Sequence, residues 1–152
     1  MADDADAIAA LVHRYAELLD AGDLEGVADL FATATLRSNQ RPAVRRGRSA
    51  ALALYRDLVI LYDGTPCTKH LITNLVVDFD PAGDAAAAHC HFTVLQARPE
   101  LPLQAILAGR YHDRFARRAG AWHFADRLIL VDLVGDLRWH TRRGSGSSVP
   151  PP

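Results

Sequence analysis

The sequence predicts an α+β domain in which helices come first and a strongly curved antiparallel sheet follows. Three observations point there. Apolar residues recur at helical spacing up to about Tyr62. From His70 onward, four long segments rich in Val, Ile, Leu, Thr and aromatic residues alternate with turn signals. Helices followed by strands, with no βαβ alternation, define the α+β class. A bent sheet closed over by helices makes a cone, and its mouth is a natural ligand pocket.

The first helix is expected from about Asp4 to Leu19. Ile8, Leu11, Val12, Tyr15, Leu18 and Leu19 fall on one face of it. Asp3, Asp4 and Asp6 lie in or before its first turn, where acidic residues suit the helix dipole. Tyr15 sits inside the stripe and should point inward. Asp20 follows the stripe directly, and Gly22 marks a helix stop. A carboxylate there meets the negative end of the dipole, so its bland reading is a solvated loop.

Asp23 then caps a short second helix with Leu24, Val27, Leu30 and Phe31 as its buried side. Thr33 to Arg37 reads as a short strand. Gln40 to Arg48 contains Pro42 and four arginines (Arg41, Arg45, Arg46, Arg48), and reads as a solvated loop in preference to a phosphate site. Ser49 caps a third helix reaching about Tyr62, with Leu52, Tyr55, Val59 and Tyr62 facing inward. Asp63-Gly64-Thr65-Pro66 ends it.

The strands are expected at His70 to Phe79, Ala85 to Ala97, Leu103 to Arg117 and Trp122 to Leu137. Asp80-Pro81-Ala82-Gly83-Asp84 is a strong hairpin signal between the first two. Residues 144–152 hold only Gly, Ser and Pro with one Val, a composition expected to be disordered, which leaves 1–143 for one domain.

Length and composition bound the function. With 152 residues and 49% hydrophobic residues, the chain can bury a real core. A net charge of -1 gives no reason to expect nucleic acid or an anionic membrane as partner. Cys67 and Cys90 fit neither a disulfide framework nor a zinc site, so a reducing cytoplasm is the expected compartment. The acidic N-terminus has no apolar segment of signal-peptide type, and no apolar run approaches the ~18 residues that span a bilayer.

His70 opens the first long strand, and alternation puts His70, Ile72, Asn74 and Val76 on one face. An aspartate that orients a histidine raises its basicity and fixes its tautomer, which makes a general base for neutral pH. Asp20 is the carboxylate best placed to do so, if the first helix packs across the start of that strand. His89 and His91 share a face, a spacing that can bind metal, but no third ligand is apparent and none is expected. Cys90, Phe92 and Val94 take the opposite face, as core or dimer surface. Asp113 reads as a buried, paired structural carboxylate. Arg127 sits on a small, apolar face and reads equally as a pocket anion site or as the partner of a carboxylate. Trp139 and His140 read as sealing the cone or a dimer interface.

Arg14-Tyr15, the run Leu19-Asp20-Ala21-Gly22-Asp23-Leu24-Glu25-Gly26-Val27-Ala28-Asp29-Leu30-Phe31, His70 with Asn74, Gly109 to Phe115, and Gly120 to Arg127 together resemble the NTF2-like (SnoaL-like) superfamily. The resemblance covers about residues 5 to 138. Its best-matching branch includes scytalone dehydratase, bile-acid dehydratase and hexachlorocyclohexane dehydrochlorinase. That resemblance implies an Asp–His dyad working without metal or organic cofactor, with Asp20 and His70 at the dyad positions. Tyr15 matches a pocket tyrosine and Arg127 a pocket arginine, while His91 is the candidate for a second pocket histidine. Ketosteroid isomerase is similar at the N-terminus, but Ser38 or Asn39 stands where its catalytic Asp is expected. Limonene-type epoxide hydrolases place Arg and Asp two apart, whereas Arg110 and Asp113 are three apart.

The resemblance implies a cofactor-independent dehydratase, or a related eliminase or isomerase, with Asp20, His70 and Tyr15 as catalytic residues. Arg127, His91, Asn74 and Tyr55 are the candidate substrate-binding residues, in a pocket lined by Leu11, Leu18, Phe31, Tyr55 and Leu107. The expected ligand is a small hydrophobic molecule of polyketide, steroid or aromatic type. A homodimer is expected from the look-alikes. The competing readings are a non-catalytic binding or dimerisation module on the same fold, or a subunit assisting a larger enzyme.

Overall fold

A computed structural model describes residues 2–142. The segment 144–152, expected to be a disordered tail, lies outside the described residues. In chain order the elements are α1 (Ala2–Ala21), α2 (Leu24–Leu30), β1 (Thr35–Ser38), β2 (Arg41–Arg46), α3 (Gly47–Leu58), β3 (Thr68–Phe79), β4 (Ala85–Arg98), β5 (Leu101–Arg118) and β6 (Ala121–Val134).

The six strands form one open, mixed sheet in the order β2-β1-β6-β5-β4-β3. Strands β3 to β6 are the expected antiparallel meander, and β1 joins β6 in parallel. The three helices pack on this sheet, as an α+β fold of the NTF2-like type requires. The apolar face of α1, with Ile8, Val12, Tyr15, Leu18 and Leu19, is buried. It meets the inward residues of the strands, including Cys90, Phe92, Tyr111, Phe115 and Phe124.

The end of α1 is set by backbone chemistry. Gly22 has φ +77° and donates to the Leu19 carbonyl at 3.0 Å, while Asp23 N–H donates to the Leu18 carbonyl at 2.9 Å. That bond pair is the glycine-terminated helix end in which the residue after the cap turns left-handed. A Cβ at Gly22 would stand 1.9 Å from the Gly64 carbonyl oxygen, so the loop before β3 closes against bare backbone. Asp23 then caps α2 through Gly26 N–H at 2.8 Å, as expected. The Asp80 carboxylate holds the β3–β4 hairpin by accepting from Gly83 and Ala85 N–H.

Four expectations are corrected. Arg41–Arg46 is not a loop but strand β2, paired with β1 at Thr35↔Arg46 and Ser38↔Arg41. It is an edge strand, where proline and charged residues are tolerated and the apolar alternation of a central strand is absent. Helix α3 starts at Gly47 without a side-chain cap and ends at Leu58, so Ser49 is no cap and Tyr62 is not helical. Strand β6 ends at Val134, short of Leu137, and the chain turns back. There Ile60 N–H donates to the His140 carbonyl at 3.0 Å, and the buried Gln96 amide donates to the Pro66 and Trp139 carbonyls, each at 3.0 Å. Finally, β3 carries a bulge: between Thr73↔His91 and Val76↔His89, Asn74 and Leu75 oppose the single residue Cys90.

Candidate active site

The site begins at the last turn of α1. Asp20 is its penultimate residue, and its carboxylate reaches the first residues of β3. His70 Nδ1 lies 2.6 Å from Asp20 Oδ1, the His70 backbone N–H donates to Oδ2 at 2.8 Å, and the Thr68 hydroxyl donates to Oδ1 at 2.8 Å. Because an ionised carboxylate only accepts, the 2.6 Å contact makes Nδ1 a donor, and in the neutral ring the lone pair then lies on Nε2. The side chains are nearly enclosed, with 3% of His70 and 11% of Asp20 exposed. Burial opposes ionisation of Asp20, but the hydrogen bonds and charge of His70 and the Thr68 hydroxyl outweigh it and hold the carboxyl below its usual range. Three donors thus offset the unfavourable dipole end noted in the sequence.

His70 borders a cavity of about 140 Å³ between the helices and the inner face of the sheet. Leu19, Leu54, Leu58, Phe92, Leu107 and Ile129 supply much of its apolar wall. Tyr15 and Tyr55 line it, their hydroxyls 3.0 Å apart. The Tyr15 ring stands edge-on to His70 with centroids 6.4 Å apart. Burial, aided by Tyr15, pushes the Tyr55 hydroxyl well above its ordinary value, so it is a neutral donor throughout the physiological range. Of the expected apolar lining, Leu107 is present, whereas Leu18 and Phe31 belong to the packed core and the partly buried Leu11 packs against it.

Three expected substrate-binding residues lie elsewhere. Arg127 is fully buried and grips Asp113 through two hydrogen bonds of 2.8 and 2.7 Å. Its guanidinium stacks on Tyr111 and Tyr15, 4.0 and 4.3 Å from the ring centroids, and is absent from the cavity lining. Of its two readings, the structure shows the carboxylate pair, which accounts for Asp113 as well. His91 is exposed on the outer face with His89, because Cys90, Phe92 and Val94 occupy the core face of β4. Asn74 is exposed and takes φ +55° in the β3 bulge, a left-handed conformation asparagine tolerates. The bulge shifts the alternation by one residue, so Leu75 and Val77 replace Asn74 and Val76 on the inner side.

His140 escaped the sequence reading as a site residue. His140 lines the cavity with His70, is 5% exposed, and has an Nδ1 with no hydrogen-bond partner among the described residues. Burial, helped by the charge of His70, depresses its pKa to about 4 despite the opposing influence of Asp20. His140 is therefore neutral at pH 7. At the ketosteroid-isomerase position, Ser38 lines the cavity, while the Asn39 amide pairs with Val131 N–H and C=O at 2.9 and 3.0 Å. Among the described residues, no group of three or more His, Cys, Asp or Glu is arranged to hold a metal ion, and no helix is long and apolar enough to cross a membrane.

This architecture, three helices on a mixed sheet, defines a domain of the NTF2-like, cystatin-like class. The chain belongs to the SnoaL-like domain family, whose model matches residues 1–127. That family includes enzymes as well as non-catalytic subunits. No curated protein matches the sequence. Among solved structures, an NTF2-like protein with a cystatin-like fold from Novosphingobium aromaticivorans is similar at TM-score 0.71 and 22% identity, over 86% of this chain and 82% of that one. A protein of unknown function from Mycobacterium tuberculosis is similar at TM-score 0.68 and 27% identity, over 84% and 70%. A beta subunit assigned to an aromatic-ring-hydroxylating dioxygenase, also from Novosphingobium aromaticivorans, is similar at TM-score 0.69 and 22% identity, over 90% and 94%.

Proposed function

We propose that the protein is a cofactor-independent lyase, a dehydratase or related eliminase or isomerase, acting on a small hydrophobic molecule. The observation that carries this reading is the 2.6 Å contact between Asp20 and His70 Nδ1 at the wall of an apolar cavity. A buried histidine oriented by a carboxylate through one nitrogen presents the other as a base.

In this mechanism His70 Nε2 removes a proton from carbon next to a carbonyl. The electron pair of that C–H bond becomes a new C=C bond. A β-hydroxyl leaves with the proton that His70 passes on, so the products are the unsaturated ketone and water. Asp20 stabilises the transient imidazolium. Tyr15, paired with Tyr55, donates to the developing oxyanion. Neutral His140 offers the departing hydroxyl a further hydrogen-bonding group. The apolar wall suits a hydrophobic ketone, and a volume of about 140 Å³ favours a small aromatic one over a steroid or a multi-ring polyketide. The free cysteines Cys67 and Cys90 support a reducing cytoplasm as its compartment.

The test is proton NMR in D2O with apolar β-hydroxy aryl ketones, following both α-deuteration and loss of water. Wild-type protein should catalyse exchange or elimination, and His70→Ala should lower the rate by about 100- to 10,000-fold. Binding without exchange would instead establish a non-catalytic binding module, and a rate indifferent to His70→Ala would end the dyad mechanism.

We also propose a homodimer. Its support is a row across the outer sheet face, Leu71↔Thr93↔Ala108↔Leu133, in which Leu71 and Leu133 are 46% and 69% exposed, with exposed Val76 nearby.

A further inference from the structure

The cavity has a polar end that the chemistry above leaves unused. Ser38 closes β1, Gln40 sits in the turn, Arg41 opens β2, and all three line the cavity. Strands β1 and β2 form the sheet edge opposite β3, which carries His70. Curvature thus brings the two edges to one cavity, with the dyad at one side and Arg41 at the other.

Arg41 differs from the arginines around it. Arg37 is bound by Asp126, Arg110 by Asp132 and Arg127 by Asp113. The side chain of the half-buried Arg41 makes no hydrogen bond or ion pair among the described residues, and Arg41 is the single Lys or Arg among the described residues lining this cavity. Its guanidinium keeps five N–H donors beside an apolar wall, and a guanidinium has no acceptor function of its own. The group that matches this fork is a carboxylate, held by two parallel hydrogen bonds. One guanidinium balances one negative charge, which favours a carboxylate over a phosphate dianion.

We propose that Arg41 anchors a carboxylate, so that the ligands of this cavity are apolar molecules bearing a carboxylate at the end remote from His70. The orientation toward His70 rests on the lyase reading above, whereas the anchor itself stands with or without that chemistry.

Binding at low ionic strength tests it, independently of turnover. The probes are 4-phenylbutyrate, its neutral isostere 4-phenylbutyramide, and 3-phenylpropyl phosphate, measured by calorimetry. Wild-type protein should bind the carboxylate roughly tenfold more tightly than the amide, as a charge-assisted hydrogen bond implies. Arg41→Gln should reduce that preference to within about twofold. Arg46→Gln, an exposed change on the same strand, should keep it. His70→Ala should keep it too, and that variant separates this proposal from the lyase reading. Absence of binding by all three probes, equal affinity of wild type for acid and amide, or a preference that survives Arg41→Gln overturns the proposal. Loss of the preference in His70→Ala would assign the anion to the dyad, and tighter binding of the phosphate would assign the site to phosphate esters. Either result also overturns it.

Discussion

His140 should make the protein's stability depend on pH in a way one substitution removes. Its imidazole titrates near the ordinary 6.5 in the unfolded chain and at about 4 in the folded one. A depressed histidine binds its proton more readily when unfolded, so falling pH favours unfolding between those two values. Above 6.5 neither state carries the proton, and below 4 both do. At 1.36 kcal/mol per unit, the loss of stability between pH 7 and pH 5 is about 2 kcal/mol. In urea this is a shift of about 1 M in the midpoint at constant slope. The comparison is wild type against His140→Gln, which keeps a polar side chain but cannot titrate. The variant should lose about 2 kcal/mol less than wild type over that interval. If both proteins lose stability in parallel, the ring is not held neutral in the folded state and the reasoning fails.

Other consequences follow from the same interior. Asp113→Asn leaves Arg127 charged, buried and without its partner, which should cost about 3–5 kcal/mol and lower Tm by roughly 6–20 °C. The double change Asp113→Leu with Arg127→Met should be near neutral, and a Tm for Asp113→Asn within about 2 °C of wild type would contradict the pair's role. Gly22→Ala should cost at least about 2 kcal/mol, since the added carbon meets the Gly64 carbonyl in a left-handed conformation. Gly83→Ala, with φ +78° but open space, should cost only about 1 kcal/mol, and equal losses in urea denaturation would refute the contrast. For the proposed dimer, sedimentation velocity should show two copies in wild type and one in Leu133→Glu; a wild-type monomer at about 100 μM would rule it out.

Much of this architecture was legible because local pattern and tertiary role agree. The stripe from Ile8 to Leu19, the stop at Gly22 and the histidine opening β3 are each periodicity or backbone signals, and they converge on Asp20 and His70. The failures share a cause in long-range geometry. Asn74 left the inner face because a bulge inserts one residue, which no alternation count reveals. The Arg127–Asp113 pair depends on the cross-strand register of β5 and β6, where the two residues stand opposite. Arg41 lay in a stretch without apolar alternation, because an edge strand does not require it. His140 belongs to no periodic element, and reaches the cavity only because Gln96 and Ile60 tie the returning chain in place. For His91, the apolar alternation of Cys90, Phe92 and Val94 already pointed outward for the histidines, and packing followed it.

The lyase chemistry requires that Asp20 fix the proton of His70 on Nδ1 and keep Nε2 free to act as a base. Long-range nitrogen–proton NMR of the histidine rings at pH 8 reads this directly. In the neutral ring of wild-type His70 the proton should sit on Nδ1 with Nε2 bare, and that preference should be lost in Asp20→Asn. A wild-type His70 protonated on Nε2 at that pH would contradict it.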